Sequence, residues 1–181
     1  MTETKPNTDK YLSPRDLAEA LDVSESSIKR WVDAGRRTAV RTAGGHRRIP
    51  QTEAVRFARQ WAGQVARPDR MGLPGLRLQA GQADDMALDE AIYDALRTGG
   101  RARFEGLIVR AFLSGEALGP LCDGPLQTAM RRLGELWKHD QSGVFFEHRA
   151  TDMCVQGIMR LRLALAPPEA EAPVAVGGGP A

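Results

Sequence analysis

The chain has 181 residues, 42% of them hydrophobic, and a formal net charge of +2, which suits one modest domain or two small ones with thin cores. No apolar run approaches the roughly 20 residues that cross a bilayer, and residues 1–10 are polar without a signal-peptide core, so a cytoplasmic protein without membrane contact is expected. Charge is uneven: from Lys29 to Arg48 seven basic residues stand against one acidic residue, whereas residues 76–166 hold eleven basic and twelve acidic ones, so the positive field belongs to the N-terminal part.

Residues 1–10 read as a disordered lead. In "YLSPRDLAEAL", Ser13 can cap a helix, Pro14 suits its first turn, Asp16 completes the cap, and Leu17 and Leu21 recur four apart. "DVSESSIKRWVDAG" repeats the pattern, with Ser24 as cap, Ile28, Trp31 and Val32 as the apolar stripe and Gly35 as the stop. Two short helices joined by so tight a turn predict a helix-turn-helix whose second helix carries Ser26, Ser27, Lys29 and Arg30 on its open face. Thr38–Arg41 and Arg47–Ile49 can then pair as short strands about Gly44-Gly45, which supply the positive φ angles of a tight hairpin wing. "QTEAVRFARQWA" predicts a third helix with a ragged stripe of Val55, Ala58 or Arg59, and Ala62, and a better one of Phe57 and Trp61. The DNA-binding domain is thus placed at 11–62.

Residues 63–75 hold three glycines and two prolines with little periodicity and read as a linker. Four helical patterns follow within residues 76–166. The first runs near 82–97 with Leu88, Ile92 and Leu96, and the second near 101–113 with Phe104, Leu107, Ile108 and Ala111. The third covers about 124–139 with Leu126, Met130, Leu133 and Trp137. The fourth covers about 144–166 with Phe146, Ala150, Met153, Gly157 and Leu161, and with Cys154, Ile158 and Leu165 beside them. The fold class is therefore mainly α: a winged helix-turn-helix followed by an antiparallel four-helix bundle. Residues 167–181 read as a flexible tail, although "PVAVGGG" has the form of a first β-strand entering a glycine-rich loop.

A helix bearing Ser, Lys and Arg fits the major groove, about 12 Å wide, while a hairpin with arginines reaches neighbouring phosphates. Double-stranded DNA is thus the expected partner, held by Ser26, Ser27, Lys29 and Arg30 on the helix and by Arg41, His46, Arg47 and Arg48 on the wing. The stretch 11–62 closely resembles the winged helix-turn-helix of the MerR family, especially the branch shared with excisionases, in which a "RTxGGHRR" wing follows a recognition helix ending in Arg-Trp. The resemblance implies base contacts from the helix residues and backbone contacts from the wing residues.

Within the bundle, Trp137 is followed after nine residues by Glu147-His148. On chemistry alone these read as a core tryptophan and two residues in the first turn of the last helix, with His148 placed to share a hydrogen bond with Asp152. No metal-ligand spacing or Ser-His-Asp or Cys-His set is legible, and Cys122 and Cys154 read as free thiols, so no catalytic residues and no metal are expected and the chain is not expected to be an enzyme. In order, however, "LGELWKHDQSGVFFEHRATDMCVQGIMRLRLAL" resembles the helical cap that precedes a cobalamin-binding Rossmann-like domain, and the W-x9-E-H spacing is similar to that of light-responsive, cobalamin-dependent MerR-type regulators. The resemblance implies that Trp137, Glu147 and His148 face the adenosyl group of adenosylcobalamin in the intact protein. Members often carry a histidine directly after the tryptophan, where Lys138 stands here and His139 follows. Because the "D-x-H-x-x-G" domain is not in the sequence, the chain is expected to be part of a longer protein and not to hold cobalamin tightly alone. The other reading of the bundle is an interaction or assembly module without a small ligand. Self-association is expected head-to-tail through the bundle or by cooperative binding to direct repeats, since residues 63–75 are too short for the long dimerisation helix of many MerR-type proteins.

Overall fold

A computed structural model of the chain describes residues 10–34, 40–41, 45–61, 65–73, 86–136, 143–163 and 165. The first helix, α1 (Pro14–Leu21), opens on a reciprocal cap: the Ser13 hydroxyl accepts from the Asp16 amide at 3.2 Å, and the Asp16 carboxylate accepts from the Ser13 amide at 3.0 Å. Burial opposes ionisation of Asp16, but the Ser13 hydrogen bonds, with Arg70 and Arg48 nearby, outweigh it and hold the carboxyl below its ordinary value. A left-handed Asp22 (φ 52°) turns the chain into α2 (Glu25–Asp33), capped by Ser24. This helix stops with Ala34 as its cap, and Gly35, the expected stop, lies outside the described residues.

One strand was absent from the sequence expectation. β1 (Tyr11–Leu12) pairs antiparallel with β3 (Arg47–Pro50), which pairs in turn with β2 (Val40–Arg41), giving the order β1-β3-β2. Two residues carry too little pattern to announce a strand, and Tyr11–Leu12 becomes one only because β3 offers it a ladder. The wing strands meet where the sequence places them: Arg41 pairs with Arg47, leaving five residues between the strands. Gly45 does take φ +77°, a value that favours glycine. Gly44, and Thr38 of the expected first strand, lie outside the described residues.

α3 (Gln51–Gln60) follows β3 directly, burying Ala54, Val55, Phe57 and Ala58. Phe57 packs with Trp31 and Trp61 in a triangle of rings 5.3–5.6 Å apart, locking α3 against α2. The described part of the expected linker is packed. Amides of Ala66 and Arg67 donate to the Ala20 carbonyl, Pro68–Met71 form a 3-10 turn, and Val65, Met71 and Leu73 are buried. Pro68 opens that turn, and Gly72 (φ +74°) lets the chain pass the buried Gln51, whose amide donates to the Met71 carbonyl at 2.9 Å.

The bundle consists of α4 (Leu88–Thr98), α5 (Arg101–Leu113), the stacked pair α6 (Leu118–Leu121) and α7 (Gln127–Leu136), and α8 (Gly143–Leu163). α4 packs on α5, α7 and α8, and both α5 and α7 pack on α8. α4 starts at Leu88, since Ala87 before it is extended, and the expected start near Gln82 lies outside the described residues. The third rod begins six residues before its expected start. Pro120 falls in the first turn of α6, where its missing N–H breaks no bond, and a π-type bulge over Cys122–Leu126 carries the helix past Pro125. The stripes read from sequence form the core: Ile92, Leu96, Phe104, Ile108, Leu133, Ala150, Met153 and Leu161 are buried, with Cys154 beside them, whereas Leu165 lies past the end of α8 and is exposed. Gly157 lies where α8 comes close against α5: a Cβ there would stand 2.7 Å from Ile108 and 2.9 Å from Phe104.

Candidate functional site

Ser26, Lys29, Arg30 and Asp33 recur at helical spacing on the face of α2 opposite the buried Ile28, and all four are exposed. At the start of α2 the Ser24 hydroxyl lies 2.8 Å from that of Ser26 and 2.9 Å from that of Ser27. Lys29 pairs with Glu25 at 2.7 Å, and Arg30 reaches the Ser27 hydroxyl at 3.5 Å. These are one-turn surface contacts worth little each, so both cations can turn to a new acceptor.

The wing residues separate. Arg48 and His46 are exposed. Arg47 instead folds back on α2, donating from Nε to Asp33 Oδ1 at 3.1 Å and from Nη2 to Oδ1 and Oδ2 at 2.7 and 2.8 Å. This bidentate pair braces the wing against the end of α2. The one acidic residue in the basic stretch was the sequence signal for it, and sequence reasoning passed over it. The Arg41 backbone is in the wing ladder, while its side chain lies outside the described residues.

On the bundle, the start of α8 presents a second open face. Phe145 is 65% exposed, Val144 42%, and the His148 side chain 76%, with Glu147 half-buried. His148 Nε2 stands 3.9 Å from Glu147 Oε2. Two expectations are corrected. Because α8 starts at Gly143, neither Glu147 nor His148 is in its first turn, and Asp152 bonds to Arg101 and Gln156 instead of His148. Those bonds, Arg101 before Gln156, hold the Asp152 carboxyl below its ordinary value. Trp137, Lys138 and His139 lie outside the described residues.

Arg149, next in sequence, anchors this face. It donates to the Arg97 carbonyl at 2.7 Å, at the end of α4, with its guanidinium 5.2 Å from the Phe146 ring centroid. Gly99 (φ +74°) leaves the space, since a Cβ there would stand 2.8 Å from that guanidinium. The signal was the Gly99-Gly100 pair facing a basic residue on another helix, a pairing that only the fold makes visible. An exposed ring, a carboxylate and an imidazole on one helix suit a large, partly polar ligand that covers the face, and to that extent these residues fit a cobalamin.

The thiols do not belong to either face. Cys154 is buried, with Sγ 3.7 Å from Met130 Sδ, and burial, with Cys122 nearby, pushes its thiol up to about 12. Cys122 is raised by burial and then by Asp123. The folded state keeps a proton that the unfolded chain releases near pH ~8.5, so the Cys154 contribution to stability is intact below that pH and is lost as pH rises toward 12. At pH 8 a thiol reagent is expected to label half-buried Cys122 first and Cys154 only at the rate of unfolding, which mass spectrometry of timed samples reads directly.

Fold and site thus define a helix-turn-helix head joined to a helical bundle with an exposed face at the start of α8. The comparisons agree with that division: residues 11–62 match the family model of a helix-turn-helix domain, and residues 88–162 match that of a B12 binding domain. No curated protein and no solved structure matches the chain. Among the described residues there is no helix long and apolar enough to cross a membrane and no group of side chains that could hold a metal ion.

Proposed function

We propose that this chain is the DNA-reading and ligand-capping part of a MerR-type transcriptional regulator that senses adenosylcobalamin, and through it light, and that it catalyses no reaction of its own. The observation that carries the proposal is the presence in one chain of two open faces: Ser26, Lys29 and Arg30 on a helix-turn-helix, and Phe145, Glu147 and His148 on a bundle that matches a B12 binding domain. Bound adenosylcobalamin would supply the light-labile cobalt–carbon bond; Glu147 and His148 would hold its upper ligand by hydrogen bonds, and Phe145 would keep water from it. The start of α8 would then pack against the bound group, so that a change in that contact would bias assembly and hence DNA affinity.

The test has two arms. With duplexes from the protein's own promoter region, anisotropy titrations at several salt concentrations are expected to give sequence-preferring binding, with log affinity falling by about 0.9 per log salt for each phosphate neutralised. Salt-insensitive or absent binding would end the regulator reading. In the dark, the protein from the complete reading frame is expected to retain adenosylcobalamin through desalting, seen in its visible spectrum. A colourless protein would favour the second reading, a bundle serving only assembly, for which exposed Val155 and Met159 farther along α8 speak.

A further inference from the structure

Arg59 sits on α3 of the head, yet its guanidinium ends on the bundle. Nη1 donates to the carbonyl oxygens of Phe112 and Glu116, both at 2.9 Å, Nη2 donates to that of Gly115 at 3.1 Å, and the guanidinium carbon lies 4.1 Å above the Phe112 ring. Carbonyls at and just past a helix C-terminus are short of intrahelical donors and carry the negative end of the helix dipole, so a planar cation with five N–H groups fits them as a lysine cannot. α5 is also the helix against which α8 is seated, through Gly157 on Phe104 and Ile108 and through the ion pair of Arg160 with buried Glu105. The helix bearing Glu147 and His148 is therefore two contacts from the DNA head: α8 on α5, and α5 on Arg59. Docking uses α3, so Ser26, Lys29 and Arg30 on α2 stay open.

We propose that Arg59 is the joint through which the bundle sets the orientation of the DNA-reading head, holding it in one pose while the end of α5 stays in place and releasing it when α5 shifts. The link to DNA reading rests on the function proposed above; the mechanical link does not.

The experiment uses the full chain with Cys122→Ser and Cys154→Ala, and spin labels on cysteines replacing Arg15 of the head and Arg131 of the bundle, whose side chains are 76% and 67% exposed. Pulsed dipolar spectroscopy is expected to give one narrow distance distribution in the parent. Arg59→Ala should broaden it, and Arg59→Lys should fall between. Glu116→Ala should leave it unchanged, since the bond goes to the backbone oxygen of that residue. Circular dichroism and DNA titration accompany each variant, and affinity of Arg59→Ala for a single site should stay within about twofold of the parent, because the substituted group is remote from the α2 face. A broad distribution in the parent, or an unchanged one in Arg59→Ala, overturns the joint, and so does a collapse of helicity or affinity in Arg59→Ala that Arg59→Lys does not rescue. A parent that binds no DNA yet shows the narrow distribution removes the regulator reading and leaves the joint standing.

Discussion

Replacing Gly157 by valine is expected to lower the stability of the bundle by about 3 kcal/mol, a drop in Tm of roughly 10 °C or more for a unit of this size. The reason is space. A Cβ at this position would stand 2.7 Å from Ile108 Cδ1 and 2.9 Å from Phe104 Cε1, closer than real Cβ contacts come, and both partners are fully buried. The backbone of α8 rests on the Ile108 and Phe104 side chains of α5, and a branched side chain must displace those buried groups or push the helices apart. Intrinsic helix preference argues the other way, since glycine inside a helix costs about 1 kcal/mol relative to alanine. Alanine therefore makes the sharper comparison. Gly157→Ala should lose stability through crowding, whereas Gly134→Ala, at an exposed position on α7 where a Cβ would meet nothing within 4 Å, should gain about 1 kcal/mol. Thermal denaturation of the three variants beside the parent decides it: equal gains for the two alanines would show that α5 and α8 are not in such close contact.

What the sequence disclosed follows from the range over which each feature is encoded. The Ser13 and Ser24 caps, the Leu17/Leu21 repeat and the bundle stripes are local patterns of three and four, and these appear where expected. Features that depend on a distant partner were hidden. β1 exists because Ile49 and Pro50 lie beside it, and the α6 helix exists because two prolines fall where a helix start and a bulge tolerate them. The linker packs because Gln51 and Ala20 offer polar groups to its backbone. The same holds for the sites. Of the expected open face, Ser26, Lys29 and Arg30 are exposed and Ser27 is only half-exposed, but the turning of Arg47 to Asp33, of Arg149 to the end of α4 and of Arg59 to the end of α5 are long-range choices. An arginine in a sequence announces a charge and not its destination.

That distinction gives the second large effect. Arg30→Ala is expected to weaken binding to the preferred DNA sequence by about 1–3 kcal/mol, roughly five- to 150-fold, and to leave binding to unrelated duplexes nearly unchanged, because a base-edge contact carries sequence information. Arg48→Ala should instead weaken all sequences alike and reduce the salt slope by about 1, the signature of a lost phosphate contact. Arg47→Ala should match neither pattern. Its guanidinium is committed to Asp33, so removing it frees the wing from α2 and withdraws the cation that offsets the Asp33 carboxylate on the α2 face proposed to read DNA. Affinity then falls by electrostatic repulsion as well as by loss of the brace. Asp33→Asn added to Arg47→Ala should restore part of that loss, whereas it cannot restore a missing phosphate contact. Anisotropy titrations of the single and double variants at two salt concentrations separate the cases: if Arg47→Ala copies Arg48→Ala in slope and Asp33→Asn recovers nothing, Arg47 leaves Asp33 on binding and touches the DNA backbone itself.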